Sequence, residues 1–456
     1  MRVCSLLFFS ALAALCGCRP PLYPSHASWT ARGEDAASRF GYRACFAGDI
    51  NGDGYSDFII GAPGFDHARG KAYVYFGGPQ GLPAQASWTF SGEDLGDAAG
   101  DRVGSAGDVN GDGYGDVYVA ASSWKKGLGK LYVFYGGPQG LAARPSWVTQ
   151  GEGVPPLAFG DCTVPTGDLN GDGFDDLAVG AYGFHGTRGE VFLFYGSKQG
   201  LAAKPAWRAE GEAPGDQFGY GLGPAGDLDG DGYDDLVIGS KYHSEGLPQA
   251  GKLYLYRGGP TGLAAATWTA LGGSQSANLG TRVYGAGDLN GDGHPDLLAG
   301  APYANGGKGE LLAYAGQADG LAAKPFLTVS APPGRTAFGF ALGPLGPLGP
   351  ARTPSFFVSS RGEAAGIVDI YQLSQGKPQW LQSMTDSQKD DRFGQWCAPA
   401  GDLNGDGAPD FCISADADGP GRVDVYLASS GQAGRSADAA LGYFLGRGHP
   451  ARLAGR

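Results

Sequence analysis

The stretch GDINGDGYSDFIIGAP (48–63) recurs in close copies along the chain. The first Asp of each copy falls at Asp49, Asp108, Asp168, Asp227, Asp288 and Asp402, at steps of 59, 60, 59, 61 and then 114, or twice 57. The long step hides a repeat that has lost its acidic loop. Nine residues ahead of the loop Asp stands Phe-Gly (Phe40-Gly41, Phe159-Gly160, Phe218-Gly219, Phe393-Gly394), with Ala99-Gly100 and Leu279-Gly280 as weaker versions. Phe338-Gly339 therefore places the missing loop at Pro347, where Pro347, Gly349, Ala351, Thr353 and Ser355 occupy the corresponding positions and no carboxylate remains.

Each unit of about sixty residues reads alike. The acidic loop leads into a short apolar strand such as DFIIG (57–61), then a variable loop, then an alternating aromatic strand such as KAYVYF (71–76). A GGPQGL turn follows (77–82, 136–141), and then a strand opening with Ser-Trp (87–88, 146–147). Four short strands joined by Gly-rich turns form the pattern of a propeller blade. So short a unit leaves no room for the crossover helices of an α/β fold. The last unit stops after RVDVYL (422–427) without its Ser-Trp strand, while a surplus SWTARGED (28–35) precedes the first and matches SWTFSGED (87–94). The expectation is an all-β, seven-bladed propeller over 28–430, its ring closed by the N-terminal strand joining the last blade so that no edge stays open.

Composition agrees: 84 Gly and 30 Pro beside 42% hydrophobic residues suit many short strands and tight turns better than disorder. A net charge of -13 disfavours nucleic acid and anionic membrane surfaces as partners, and favours cation binding or extracellular display.

The acidic loops have the chemistry of calcium sites. Side-chain oxygens stand at positions 1, 3, 5 and 9, Gly at position 6 allows the turn that folds them inward, and position 7 offers its carbonyl. Hard oxygen donors in a flexible loop suit Ca²⁺ better than Mg²⁺, and no His or Cys side chain at a ligand position recommends zinc or copper. The expected ligands are Asp49, Asn51, Asp53, the Tyr55 carbonyl and Asp57; then Asp108, Asn110, Asp112, Tyr114 and Asp116; then Asp168, Asn170, Asp172, Phe174 and Asp176. Asp227, Asp229, Asp231, Tyr233 and Asp235 form a fourth set with one extra carboxylate. The remaining sets are Asp288, Asn290, Asp292, His294 and Asp296, and Asp402, Asn404, Asp406, Ala408 and Asp410. Six Ca²⁺ ions would nearly cancel the net charge of -13. An EF-hand would need Glu at position 12, where the first loop has Ile60, and flanking helices where these flanks read as strands. A metal-free Asx-turn hairpin does not require carboxylates at positions 1, 5 and 9 together. The expected role of the metal is structural, since a closed oxygen cage leaves no open coordination position.

Phe-Gly, a D-x-N-G-D-G-x-x-D loop and Gly-Ala-Pro (61–63, 300–302) together resemble the FG-GAP repeat. That resemblance covers roughly 28–430 and implies the seven-bladed propeller of integrin alpha subunits and many bacterial surface proteins. It implies structural calcium and a protein or glycan ligand.

The N-terminus reads as a targeting segment: a basic start at Arg2, an apolar run over 6–15 too short to span a bilayer, and Leu15-Cys16-Gly17-Cys18. This ending resembles a bacterial lipoprotein signal (1–18), with Cys18 as the lipidated residue and a short linker over 19–27; a plain secretory signal is the alternative. Arg19 in place of Asp favours the outer membrane under that family's sorting rule. The expected location is thus the cell envelope, at the outer membrane or cell surface, with the membrane reached only through the lipid. Of the other cysteines, Cys397 and Cys412 flank one acidic loop and form the best-placed disulfide pair, buried free thiols being the alternative. Residues 431–456 read as a tail.

Strand alternation puts the acidic loops and Gly-Gly-Pro turns on one face, and the variable second-to-third-strand loops on the other. Variable loops on a rigid scaffold are the usual place for recognition, so His67, Trp124, His185, Tyr242 and His243 are the candidate ligand residues. The leading expectation is a non-enzymatic, calcium-binding interaction or adhesion propeller at a bacterial envelope. An exported enzyme using the propeller face is the alternative, although no G-x-S-x-G, H-E-x-x-H or phosphate-loop motif is present.

Overall fold

The computed structural model describes residues 22–348, 353–361, 366–386, 392–416 and 419–428. The expected signal segment (1–18) with Cys18, the positions Gly349 and Ala351, and residues 431–456 lie outside the described residues.

Seven four-stranded antiparallel sheets form, six with their strands in chain order and the seventh with the N-terminal strand beside the last three. Blade 1 consists of Arg43–Gly48, Asp57–Ala62, Lys71–Tyr75 and Trp88–Ser91. Its second strand is buried along its whole length, as β-branched and aromatic residues between two neighbouring sheets should be. Its fourth strand alternates between half-buried and exposed, as an outer strand does. The first strands of blades 2 to 7 are Arg102–Gly107, Cys162–Gly167, Phe218–Gly226, Arg282–Gly287, Leu342–Leu348 and Trp396–Gly401. In each blade with an acidic loop the register slips one residue before the glycine that precedes the loop Asp, as between Phe46 and Gly48. Those glycines have φ between 65° and 92°, a left-handed conformation that costs Gly little. The bulge ends the pairing and turns the loop out of the sheet.

Seven clusters of buried side chains fill the seven gaps between neighbouring blades. The aromatic ring of Phe-Gly plugs the gap to the preceding blade: Phe40 between blades 7 and 1, Phe159 between 2 and 3, Phe218 between 3 and 4, Phe338 between 5 and 6, and Phe393 between 6 and 7.

The ring closes as expected. Trp29–Arg32 pairs antiparallel with Arg422–Tyr426 to complete blade 7. The indole of Trp29 donates to the Pro83 carbonyl of blade 1 at 3.0 Å, as Trp88 does to Ala142 at 3.1 Å and Trp147 to Ala202 at 3.2 Å one blade on. It also stands edge-on to Tyr75 at 5.0 Å, a contact that Trp88 repeats with Phe134 at 4.8 Å. The N-terminal strand thus makes the contacts of an ordinary fourth strand.

Two expectations need correction. Residues 22–27 are not a mere linker: Tyr23 is fully buried against Phe411 and its hydroxyl donates to the Pro409 carbonyl at 2.8 Å. Cys397 and Cys412 are free thiols. Cys397 pairs with Ile413 and Cys412 with Ala398, a register offset of one that turns the two thiols to opposite sheet faces, toward blades 6 and 1. At the lost loop the ladder itself extends, with Pro347 opposite Pro354 and Leu348 opposite Thr353, positions that the other blades give to the acidic loop.

Candidate metal loops and the channel mouth

The acidic loops share one geometry. Asp49 accepts the amides of Gly52 and Asp53 on Oδ1 at 2.8 and 3.1 Å, and that of Gly54 on Oδ2 at 2.9 Å. The Asn51 amide donates to Asp53 Oδ2 at 2.9 Å, and Asp53 Oδ1 accepts the Tyr55 amide at 3.0 Å. Asp57 is fully buried, with Oδ2 accepting the Ile50 amide at 2.8 Å and Oδ1 the Gly77 amide at 2.9 Å. It therefore ties the acidic loop to the Gly-Gly-Pro turn. Asp116, Asp176, Asp235, Asp296 and Asp410 repeat this double bond.

Carboxylates in this setting are costly. Burial pushes the Asp57 carboxyl up to about 7; the Gly77 and Ile50 amides oppose the rise, while Asp53 and Asp49 add to it. The same causes lift Asp116, Asp176 and Asp410 to about 8 and Asp235 to about 7. Asp49 Oδ2 and both oxygens of Asp53 and Asp57 each accept a single one of these bonds and keep a lone pair, so a hard cation can be added there without breaking the loop's own hydrogen bonds. The oxygens of Asp227, Asp229 and Asp231 lie within 4.8 Å of one another. The donor set fits an oxygen-preferring divalent ion. In the fourth loop Arg257 already pairs with Asp229 and approaches Asp231 at 3.7 Å, so the extra carboxylate there is answered by the protein.

The loops are also chained to one another, which the sequence reading missed. The position-8 amides of Ser56, Gly115, Asp175 and Asp234 donate to the carbonyls of Asp402, Asp49, Asp108 and Asp168 in the preceding blades, at 2.8–3.3 Å. At the same four junctions the position-7 ring covers the position-4 glycine of the preceding loop. A Cβ on Gly52, whose φ is +74°, would lie 2.7 Å from the Tyr114 ring, and one on Gly111 would lie 2.6 Å from Phe174. The chain runs through blades 7, 1, 2, 3 and 4. It stops at blade 5, where Pro295 offers no N–H and position 7 is His294. Consecutive aromatics at position 7 were the available signal.

The opposite face departs from expectation. The five candidate ligand residues come from four blades and do not converge. His67 and His185 are exposed, Tyr242 is half-buried, and Trp124 and His243 are buried. His243 is held by Asp216 on Nδ1 at 3.0 Å and faces Glu245 and Glu212 at 3.4 and 3.7 Å, carboxylates that Lys252 also pairs with at 3.0 and 2.8 Å. Trp124 lies in the core between blades 1 and 2, the gap where the repeat carries Ala99 instead of Phe, with Lys125 and Lys130 over its ring. It is a packing residue. Trp124→Ala is expected to destabilise the ring by about 3–5 kcal/mol in urea unfolding, and His67→Ala by less than about 0.5 kcal/mol. The variable loops of blades 1, 2, 3 and 5 vary in sequence but not in shape, for each places two left-handed residues inside one tight turn, such as Asp66-His67 and Lys125-Lys126.

What does converge on this face is the mouth of the central channel. Arg43, Arg102 and Arg282 stand two residues after the repeat glycines Gly41, Gly100 and Gly280, and all three line the cavity formed by the first strands of six blades. That common offset was legible in the sequence and was missed. Around the rim, Arg39 and Arg43 lie 4.3 and 5.0 Å from the Tyr42 ring, and Lys241 lies 3.2 Å from Tyr220.

A ring of seven four-stranded blades with acidic hairpins at one end defines a seven-bladed β-propeller, and the chain carries FG-GAP repeats. The FG-GAP repeat family matches residues 40–75, 100–134 and 163–194, and an FG-GAP-like repeat matches 227–299. The chain is similar to integrin alpha-PS5 of Drosophila melanogaster, 37% identical over 213 residues, which is 44% of this chain and 20% of that protein. It is similar to integrin alpha-V of Gallus gallus, 34% identical over 216 residues, 44% of this chain and 20% of that protein. The chain thus spans about one fifth of the curated relatives it matches. Among solved structures, the WD40 domain of Toxoplasma gondii coronin shares the fold, with a TM-score of 0.52 at 10% identity over 90% of this chain and 89% of that one.

Proposed function

We propose that this chain is a calcium-clasped interaction propeller displayed at a bacterial cell envelope, where it mediates adhesion to a protein or glycan partner without catalysing a reaction. One observation carries the reading: in six blades a fully or almost fully buried aspartate locks an acidic loop to the neighbouring turn, and burial holds each such carboxyl above its usual range. Calcium held by positions 1, 3, 5, 7 and 9 would supply the missing positive charge. The ions would then stiffen one face and leave the other free to recognise a partner. The similarity to integrin alpha chains supports adhesion. The signal-like N-terminus supports export, with Cys18 as the lipid anchor and the outer membrane or cell surface as the destination. Among the described residues no helix is long and apolar enough to cross a membrane.

The test is adhesion. Cells producing the full chain are expected to adhere to a subset of arrayed proteins or glycans at least tenfold above cells producing Cys18→Ala, with adhesion lost in EGTA. Equal adhesion by both strains, or none to any surface, would overturn the reading.

A further inference from the structure

The channel mouth carries a charge imbalance that the calcium loops, at the other end of the ring, do not address. Arg102 is paired, its Nη2 lying 2.7 Å from Asp161 Oδ1 and its Nη1 donating to the Asp101 carbonyl at 2.7 Å. Arg43 and Arg282 have no carboxylate partner among the described residues. Arg43 Nη1 donates to the Tyr42 carbonyl at 2.8 Å and its guanidinium lies 4.2 Å from the Trp396 ring. Arg282 Nη1 donates to the Thr281 carbonyl at 2.8 Å, its guanidinium lies 5.3 Å from the same ring, and its Nε is buried with no acceptor. Burial lowers the Arg43 pKa, and Arg102 and Arg282 lower it further, so the charged form is under stress. Below the arginines the wall turns apolar, with Val103, Val164, Leu222 and Val283 around a cavity of about 160 Å³. A single water needs ~10–15 Å³ on that measure, so the space is ligand-sized.

We propose that the channel mouth is a binding site for a carboxylate with an apolar tail, the carboxylate bridging Arg43 and Arg282 and the tail lying along the channel wall. Guanidinium forks match a carboxylate in a way no neutral head group does. The lining runs over about five residues of a strand, from Asp161 to Pro165, or ~13 Å at ~3.3 Å per residue, which accommodates a medium-length chain. Each methylene buried there adds roughly fourfold in affinity. This site goes beyond the adhesion reading and stands whether or not a macromolecular partner binds the propeller.

Isothermal titration of the full calcium-loaded chain with octanoate, octan-1-ol, acetate and glucuronate tests it. Octanoate is expected to bind, and octan-1-ol and acetate to bind at least tenfold more weakly. Arg282→Gln and Arg43→Gln should each reduce octanoate affinity about tenfold while the melting temperature stays level or rises, because each removes an unpaired, partly buried charge. Equal binding of octanoate and octan-1-ol, no binding of octanoate, or unchanged affinity in both variants would overturn the proposal. Glucuronate binding more tightly than octanoate would also overturn it, by making the mouth a sugar-acid site.

Discussion

Adding EGTA to the full chain at pH 7.5 is expected to lower its melting temperature by more than ten degrees. A ligand at a hundred times its dissociation constant stabilises the folded state by about 2.7 kcal/mol per site. Six independent sites would set an upper bound near 16 kcal/mol, more than the whole stability of many domains. The pH dependence should separate the two states. Without metal, the position-9 carboxyls sit at about 6 for Asp296 and up to about 8 for Asp116, Asp176 and Asp410, against an ordinary value of 3.8. Groups raised in the folded state contribute stability below their unfolded pKa and lose it as pH climbs through the folded one. The calcium-free ring should therefore weaken steadily from about pH 4 to pH 8. With calcium the carboxylates stay ionised and the trend reverses, since protons now compete with the metal. Scanning calorimetry across that range, with and without EGTA, checks both signs. A melting temperature indifferent to EGTA at every pH would refute the calcium reading.

Deleting residues 22–32 should prevent the ring from closing. The deletion removes the fourth strand of blade 7, the Trp29 contacts with Tyr75 and Pro83, the 2.7 Å bond from Thr30 to Asp424, and the buried Tyr23. It leaves Arg422–Tyr426 as an unpaired edge, which invites pairing with another chain. A buried aromatic alone is worth about 3–5 kcal/mol, so the total loss approaches the stability of a typical domain. The expected product is aggregated or readily digested protein, rescued in part by adding a peptide of residues 22–35. Trp29→Ala, a milder change, should fold with a lower urea midpoint. A monodisperse deletion variant with an unchanged midpoint would show that closure contributes little.

Much of this molecule could be read from spacing. Repeat length, strand number, the surplus Ser-Trp strand and the oxygen donors at positions 1, 3, 5 and 9 are local patterns, because a strand, a turn and a metal loop are each built within a dozen residues. The chain alone also located the dead loop near Pro347. Other features depend on which blades become neighbours. Trp124 looked like an exposed recognition residue because it sits in a variable loop, but the gap left by Ala99 draws it inside. Cys397 and Cys412 looked like a pair because they flank one loop, but a one-residue offset across the ladder turns them apart. The coupling of successive acidic loops, and the meeting of Arg43, Arg102 and Arg282 from three blades at one mouth, arise only when the ring closes. Sequence determined the blade, since its contacts are local. Tertiary structure decided what faces the channel and what fills the gaps, since those contacts join residues dozens to hundreds of positions apart.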